Sequence, residues 1–227
     1  MKKEDIEKSV KEAREKGKKR NFQQKFDFII NLKNFDLKDT EKKVEIFLQL
    51  KYGIGKKKKI CALVSQELVT DAKNCCDHVI LDSDFEKLKD EKKQLKKLVR
   101  EYDCFVAEAK VMPKLASTLG RFLGPKGKMP NPKSGSVLKS KTDVKPTYDR
   151  LQNFAELKPK NEPILRCTVG SEGMNDGEIA ENILHVYNTV LSLLPQESEN
   201  VKSALLKLTM GKPVYLFGGK DESKGNN

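Results

Sequence analysis

Apolar residues recur at two different periods along this chain, and the changes of period mark its organisation. Ile6, Val10 and Ala13 fall at helical spacing among Glu and Lys, which predicts a short amphipathic helix over 3–16 that ends near Gly17. The period then drops to two. Phe26, Phe28, Ile30 and Leu32 alternate onto one face, and Val44, Ile46, Leu48 and Leu50 do the same, so two half-buried strands joined by a polar loop over 33–42 are expected. Phe22 keeps the same even spacing: it is either the start of the buried row or an exposed aromatic beside the basic cluster Lys18-Lys19-Arg20.

Past Gly53 and Gly55 the character changes. Ile60–Val64, His78–Leu81 and Cys104–Ala107 are short, nearly continuous apolar runs, the pattern of strands covered on both faces. Helix-like stretches at 66–75 and 90–101 separate them, the second with Leu95, Leu98 and Val99 on one side and lysines elsewhere. Strand, helix, strand, helix, strand implies a parallel sheet with crossovers, a Rossmann-like layered domain. Met112–Phe122, with Pro113 in its first turn, and 143–154 are expected to be further helices, and Leu157–Pro163 a linker.

The remainder returns to the first style. Ile164–Gly170 predicts a strand, and Ile179, Ile183, Val186, Tyr187, Val190, Leu191 and Leu194 form one stripe of a long helix stopped at Pro195. Val201–Leu208 and Val214–Phe217 supply more strand, interrupted by Thr209-Met210-Gly211-Lys212-Pro213, and the polar tail from Gly218 is expected to be mobile. The simplest architecture is an α/β protein: a discontinuous outer domain, residues 1–58 with 160–227, and a Rossmann-like three-layer domain inserted at 59–159. The two would hinge near 53–59 and 155–163.

Charge adds a partner to this picture. The chain carries +12 with an isoelectric point near 9.3, which points to a polyanion, nucleic acid before an anionic membrane. No apolar run approaches the roughly 18 residues of a membrane span, and Met1-Lys2-Lys3-Glu4-Asp5 lacks the apolar core of a signal peptide, so a cytoplasmic protein is expected. Within the insertion the surplus is concentrated: 121–145 holds seven basic residues and one acid, and the rest of 59–159 is balanced. Leu119–Gly135 is rich in Gly and Pro as well as Lys, so a shaped basic loop and not a regular element is expected there.

Catalytic and metal chemistry find little support. Gly127-Lys128 looks like the end of a phosphate loop, but Phe122 stands where its first Gly belongs, Met129 replaces the Mg-binding hydroxyl, and Pro125 removes an amide. The five cysteines, Cys61, Cys75, Cys76, Cys104 and Cys167, have no C-x-x-C spacing and only His78 and His185 to join them, which fits buried thiols in a reducing compartment. No nucleophile elbow, zinc helix or dinucleotide turn occurs. No cofactor and no metal are expected. The rival reading is a nucleotide- or phosphometabolite-dependent enzyme built on the inserted domain.

One resemblance goes further. Leu119-Gly-Arg-Phe-Leu-Gly-Pro-Lys-Gly-Lys-Met-Pro-Asn-Pro132 resembles the signature of the universal large-subunit ribosomal protein L-one family, the protein of the mobile lateral stalk. Phe22 before the first strand and Thr209-Met210-Gly211 near the end resemble its other two marks, and Arg20-Asn21-Phe22 with Lys126-Gly-Lys-Met-Pro130 is closer to archaeal members. The resemblance implies a split α/β domain with a Rossmann-like insertion, no enzymatic activity, and a monomer when free. It implies binding to folded large-subunit rRNA, motion as deacylated tRNA leaves the exit site, and often repression of the protein's own mRNA. It places the main RNA grip on the outer domain: Arg20, Phe22 as an aromatic surface, Lys25 as a phosphate or ribose contact, and Thr209, Met210 and Gly211 against RNA backbone. Lys25 departs from the small hydroxyl residue expected there, so a charge contact replaces a hydrogen bond. Arg121, Lys126, Lys128 and Lys133 of the basic loop are left as a secondary contact surface.

Overall fold

A computed structural model describes residues 2–34, 46–139, 143–159 and 162–218. In chain order the first half comprises α1 (Lys3–Glu15), β1 (Lys25–Leu32), β2 (Ile46–Gln49), β3 (Ile60–Val64), α2 (Val69–Cys75), β4 (His78–Leu81), α3 (Phe85–Asp90), α4 (Lys92–Glu101) and β5 (Cys104–Glu108). The second half comprises α5 (Met112–Thr118), α6 (Gly120–Leu123), β6 (Val137–Leu138), α7 (Val144–Gln152), β7 (Phe154–Leu157), β8 (Ile164–Ser171), α8 (Asp176–Leu193), β9 (Val201–Leu208) and β10 (Val214–Phe217). The fold is α/β. Of the sequence expectations, Val44, most of the 33–42 loop, Lys141 and the tail beyond Gly218 lie outside the described residues.

The chain divides into two compact units, 1–56 with 153–227, and 57–152. The return boundary therefore falls at Asn153, not at 160. The reason is β7: read from sequence as the end of a helix and the start of a linker, Phe154–Leu157 is a strand, paired antiparallel with β2 through Ile46–Leu157 and Leu48–Ala155. Ala155 and Leu157 are buried and Glu156 is exposed, the alternation of a one-sided strand. Four residues are too few for that period to stand out next to the helical stripe ending at Leu151.

In the outer unit a four-stranded antiparallel sheet runs β10-β9-β1-β8. Phe26, Phe28, Ile30 and Leu32 of β1 pack with Leu165, Val169, Leu206 and Leu208 into one core with the apolar faces of α1 and α8. Asn175 and Glu178 close a capping box at the start of α8, which satisfies amides that the helix leaves open. Asn182, fully buried on α8, donates to the carbonyls of Gly53 and Val169 at 3.0 and 2.9 Å and accepts from the Tyr52 amide at 3.1 Å. That amide fixes the path of the chain at Tyr52–Gly53, where Gly53 takes a φ of 63°.

The inserted unit is a parallel sheet of order β4-β3-β5-β6. All five residues of β3 are buried, and Cys61 and Leu63 share a core with Phe105, Phe85, Leu95, Val99, Leu115, Leu119 and Leu123. Ile60, Ala62 and Val106 point to the opposite face, the side on which α2 and α7 pack together. Strand β4 is less covered than its apolar run predicts: it is an edge strand, with His78 exposed and only Ile80 buried. The Gly- and Pro-rich loop also departs from expectation. Its first part is helical, α6 followed by a 3-10 turn at Gly124–Lys126, because Leu119 and Leu123 are buried in the core and Pro125 sits in a first turn that tolerates it.

Candidate nucleic-acid interface

Strand β9 ends where β1 begins, and that antiparallel meeting builds the site. Leu208 is paired with Phe26, and one step further the Thr209 amide donates to the Lys25 carbonyl at 3.0 Å. The Thr209 hydroxyl accepts from the Lys25 amide at 3.1 Å and lies 3.2 Å from the Lys25 carbonyl, to which it donates. Residues from the two ends of the chain are thus locked side by side. The Gly211 amide closes the turn on the Leu208 carbonyl at 2.9 Å. A Cβ on Gly211 would stand 3.0 Å from the Leu208 Cβ, so glycine is favoured by packing within the turn.

The side chains around this junction face outward. Phe22 is 52% exposed and Met210 61%, an aromatic and a thioether left in water beside the same strand ends. That resolves the two alternatives for Phe22: the buried even-numbered row begins at Gln24, not at Phe22. Arg20, Thr209 and Met210 are exposed and Lys25 is half-buried. Lys18, Lys19, Arg20, Lys25 and Lys212 make no ion pair among the described residues, so their charges remain available to an anionic partner.

Gln24 was not among the residues marked from sequence, yet it ties the site together. Only 1% exposed, its side-chain amide donates to the Lys18 carbonyl at 3.1 Å and accepts from the Met210 amide at 3.2 Å. Its backbone carbonyl accepts from the Glu172 amide at 2.9 Å, and its own amide donates to the Glu172 carboxylate at 3.2 Å. One buried residue thereby joins the basic segment, the end of β9 and the turn after β8. The available signal was an amide heading an otherwise apolar alternating row. Arg14 was likewise missed: it holds the same turn through Asp176 at 2.7 Å and the Met174 carbonyl at 2.6 Å, with its guanidinium over the Phe26 ring.

The basic loop is less uniform than its sequence. Arg121, Lys126 and Lys133 are exposed and unpaired among the described residues, but Lys128 is half-buried. Its ammonium donates to the carbonyls of Val99 at 2.8 Å and Tyr102 at 2.6 Å, the open C-terminal end of α4. Lys128 is a helix cap, so its charge is engaged within the inserted unit where the sequence marked it for the contact surface.

The cysteines and the residues beside them are engaged in packing and hydrogen bonds. Burial pushes the Cys76 and Cys167 thiols up to about 12 and raises Cys61 further. Asp77 is engaged with the Ile60 amide at 2.8 Å, and His78 stacks on Tyr102. Among the described residues no group of three His, Cys, Asp or Glu side chains could hold a metal ion. At the carboxyl ends of β3 and β5, where the strand order reverses, Glu108 is 4% exposed and accepts from the Ser65 amide at 3.0 Å and hydroxyl at 2.7 Å. A parallel sheet offers nucleotides that crevice, and a buried carboxylate in it repels phosphate.

Residues 10–212 match the Ribosomal protein L1p/L10e family. The chain is 39% identical over 216 residues to the large ribosomal subunit protein uL1 of Methanothermococcus thermolithotrophicus, covering 95% of this chain and 99% of that protein. It is 41% identical over 212 residues to that of Nanoarchaeum equitans, covering 92% and 97%, and 34% identical over 224 residues to that of Methanocaldococcus jannaschii, covering 99% and 100%. The match runs through both units and all three sequence marks, and the chain belongs to the ribosomal protein L1p/L10e family, in its archaeal form.

Proposed function

We propose that this protein is a structural constituent of the large ribosomal subunit, and that its outer unit grips folded large-subunit rRNA at the mobile lateral stalk. The observation that supports the proposal is the Lys25–Thr209 junction, near which Phe22 and Met210 are exposed and the neighbouring cations make no ion pair among the described residues. Folded RNA is distinguished by shape, ribose contact and stacking on exposed bases, and this surface offers a flat aromatic, a thioether and a hydroxyl whose second lone pair can accept from a 2′-OH. Arg20 and Lys25 supply phosphate contacts. The family is one of ribosomal proteins, not enzymes, and a place on the cytoplasmic ribosome follows from it.

The same surface would recognise an element of the protein's own mRNA that imitates the rRNA shape, which makes translational repression part of the proposal. Assistance to deacylated tRNA leaving the exit site would follow from the two units moving about the chain crossings at 56–57 and 152–153. The rival reading, a nucleotide-using enzyme, is disfavoured by Glu108 at the strand-order reversal. The test is titration of the full chain with its large-subunit rRNA fragment at two salt concentrations. Phe22→Ala and Thr209→Val should each weaken binding about tenfold, roughly the worth of one lost buried hydrogen bond or stacking contact. Thr209→Ser should retain most affinity. Unchanged affinity in both first variants would remove this surface from the RNA grip.

A further inference from the structure

Outside its basic loop the inserted unit, 57–152, carries fourteen cations against twelve acids, a near balance that conceals a segregation. Helix α4 buries Leu95 and Val99, and the opposite face carries Lys93, Lys96, Lys97 and Arg100, all exposed. Neighbours at i,i+3 and i,i+4 within this set are all cations, about one helical turn, or roughly 5 to 6 Å, apart along the axis. None of the four makes an ion pair among the described residues. Three other surface lysines of this unit do, Lys87 with Asp84, Lys110 with Glu67, and Lys59 with Glu101, the one acid of α4 itself, whereas the exposed Lys73, Lys89 and Lys92 do not among the described residues; it is the grouping of four cations on one helix face that sets α4 apart. Helix stability does not explain the placement either, because α4 has no acid in its first turn and begins with Lys92 and Lys93, against the helix dipole.

We propose that the exposed face of α4 is a second RNA-docking surface, which grips the phosphate backbone of duplex RNA through Lys93, Lys96, Lys97 and Arg100. A row of cations at one-turn spacing on a rigid helix suits a backbone whose charges are also regularly spaced. The helix is held rigid from both sides, by Leu95 and Val99 in the core and by Lys128 on its C-terminal carbonyls. The face carries no aromatic side chain, so it offers nothing for unstacked bases to stack on, and duplex is favoured over single strand. A membrane is disfavoured because the apolar side of α4 is committed to the core and cannot enter lipid. This surface is independent of Phe22 and Thr209 and would anchor RNA without reading its sequence.

The test uses the full chain and a short mixed-sequence RNA duplex, with binding followed by fluorescence anisotropy across salt concentrations. The combined Lys93→Gln, Lys96→Gln, Lys97→Gln, Arg100→Gln variant should lose on the order of tenfold in affinity, and its log–log salt slope should become shallower by roughly 3. Lys87→Gln with Lys110→Gln, which removes two paired lysines of the same unit, should change neither. If the fourfold variant fails to fold by circular dichroism, Lys93→Gln with Lys97→Gln should still show about half the change in slope. Repeating the series in a Phe22→Ala background keeps this surface separate from the outer unit's grip, since the α4 effect should persist there. The same variants are also titrated against vesicles containing phosphatidylserine; an unchanged RNA slope, or a deficit confined to those vesicles, would overturn the proposal.

Discussion

Lys128, in the middle of the family's longest motif, donates its ammonium to the Tyr102 carbonyl at 2.6 Å and so closes the end of α4. A residue that sequence assigns to an RNA-facing loop is therefore an internal strut. The cation also lies at the negative end of the α4 dipole, where a positive charge is stabilising.

Lys128→Met should lower the stability of the inserted unit by about 1 to 2 kcal/mol, the loss of charge-assisted hydrogen bonds to two carbonyls. The measurement is hydrogen exchange of the α4 amides, which should accelerate while those of β1 do not. The salt slope of RNA binding should stay nearly unchanged. Neutralising Arg121, Lys126 and Lys133 should do the reverse: leave α4 exchange alone and flatten the slope.

Gln24 provides a test of how the outer site is assembled. Gln24→Leu keeps the volume but leaves the Met210 amide and the Lys18 carbonyl without their partner, at a cost of about 1 to 3 kcal/mol. RNA affinity should fall with it, although the Gln24 side chain is buried and cannot itself touch RNA. Gln24→Glu preserves the acceptor for Met210 and loses the donor to Lys18, so urea denaturation should place it between wild type and Gln24→Leu. A Gln24→Leu protein with full stability and full affinity would show that the bridge is dispensable.

The acid side of the stability curve should report Glu181. Lys3 at 2.7 Å and the Tyr52 hydroxyl at 3.0 Å hold its carboxyl below the ordinary value of 4.5. A folded-state pKa below the unfolded one contributes stability that is fully present above the unfolded value and is lost as pH falls through the folded value. Glu181→Gln should remove that component, so acid denaturation curves of variant and wild type should converge at the lowest pH and separate above the ordinary carboxylate range. The separation should be small, because both partners are at the surface.

The elements most legible in the sequence were those whose burial is periodic over many residues. The stripe from Ile179 to Val190 and the alternation from Phe26 to Leu32 each hold one period long enough to exclude the other. Strand β7 was hidden because its four residues follow directly on a helix with a compatible apolar spacing. The helix expected over Met112–Phe122 already reached into α6; what was hidden is the helical turn that continues through Gly124–Lys126, because Gly124 and Pro125 weigh against helix locally while the burial of Leu119 and Leu123 outweighs them in the folded chain.

The sequence alone determined the family, the α/β class, the surplus of positive charge and the three marks at Phe22, the Leu119–Pro132 motif and Thr209-Met210-Gly211. These depend on residue identity and spacing, which a linear text records. Which charges are free and which are spent was decided only by tertiary structure. Lys126 and Lys128 are two residues apart in the same motif, yet one is in water and the other caps a helix that precedes it in the chain. Lys25 and Thr209 are neighbours only because β1 and β9 pair antiparallel, and Gln24 bridges segments that no local pattern connects. Long-range pairing sets those environments, and hydrogen bonds and burial then assign to chemically similar residues different roles.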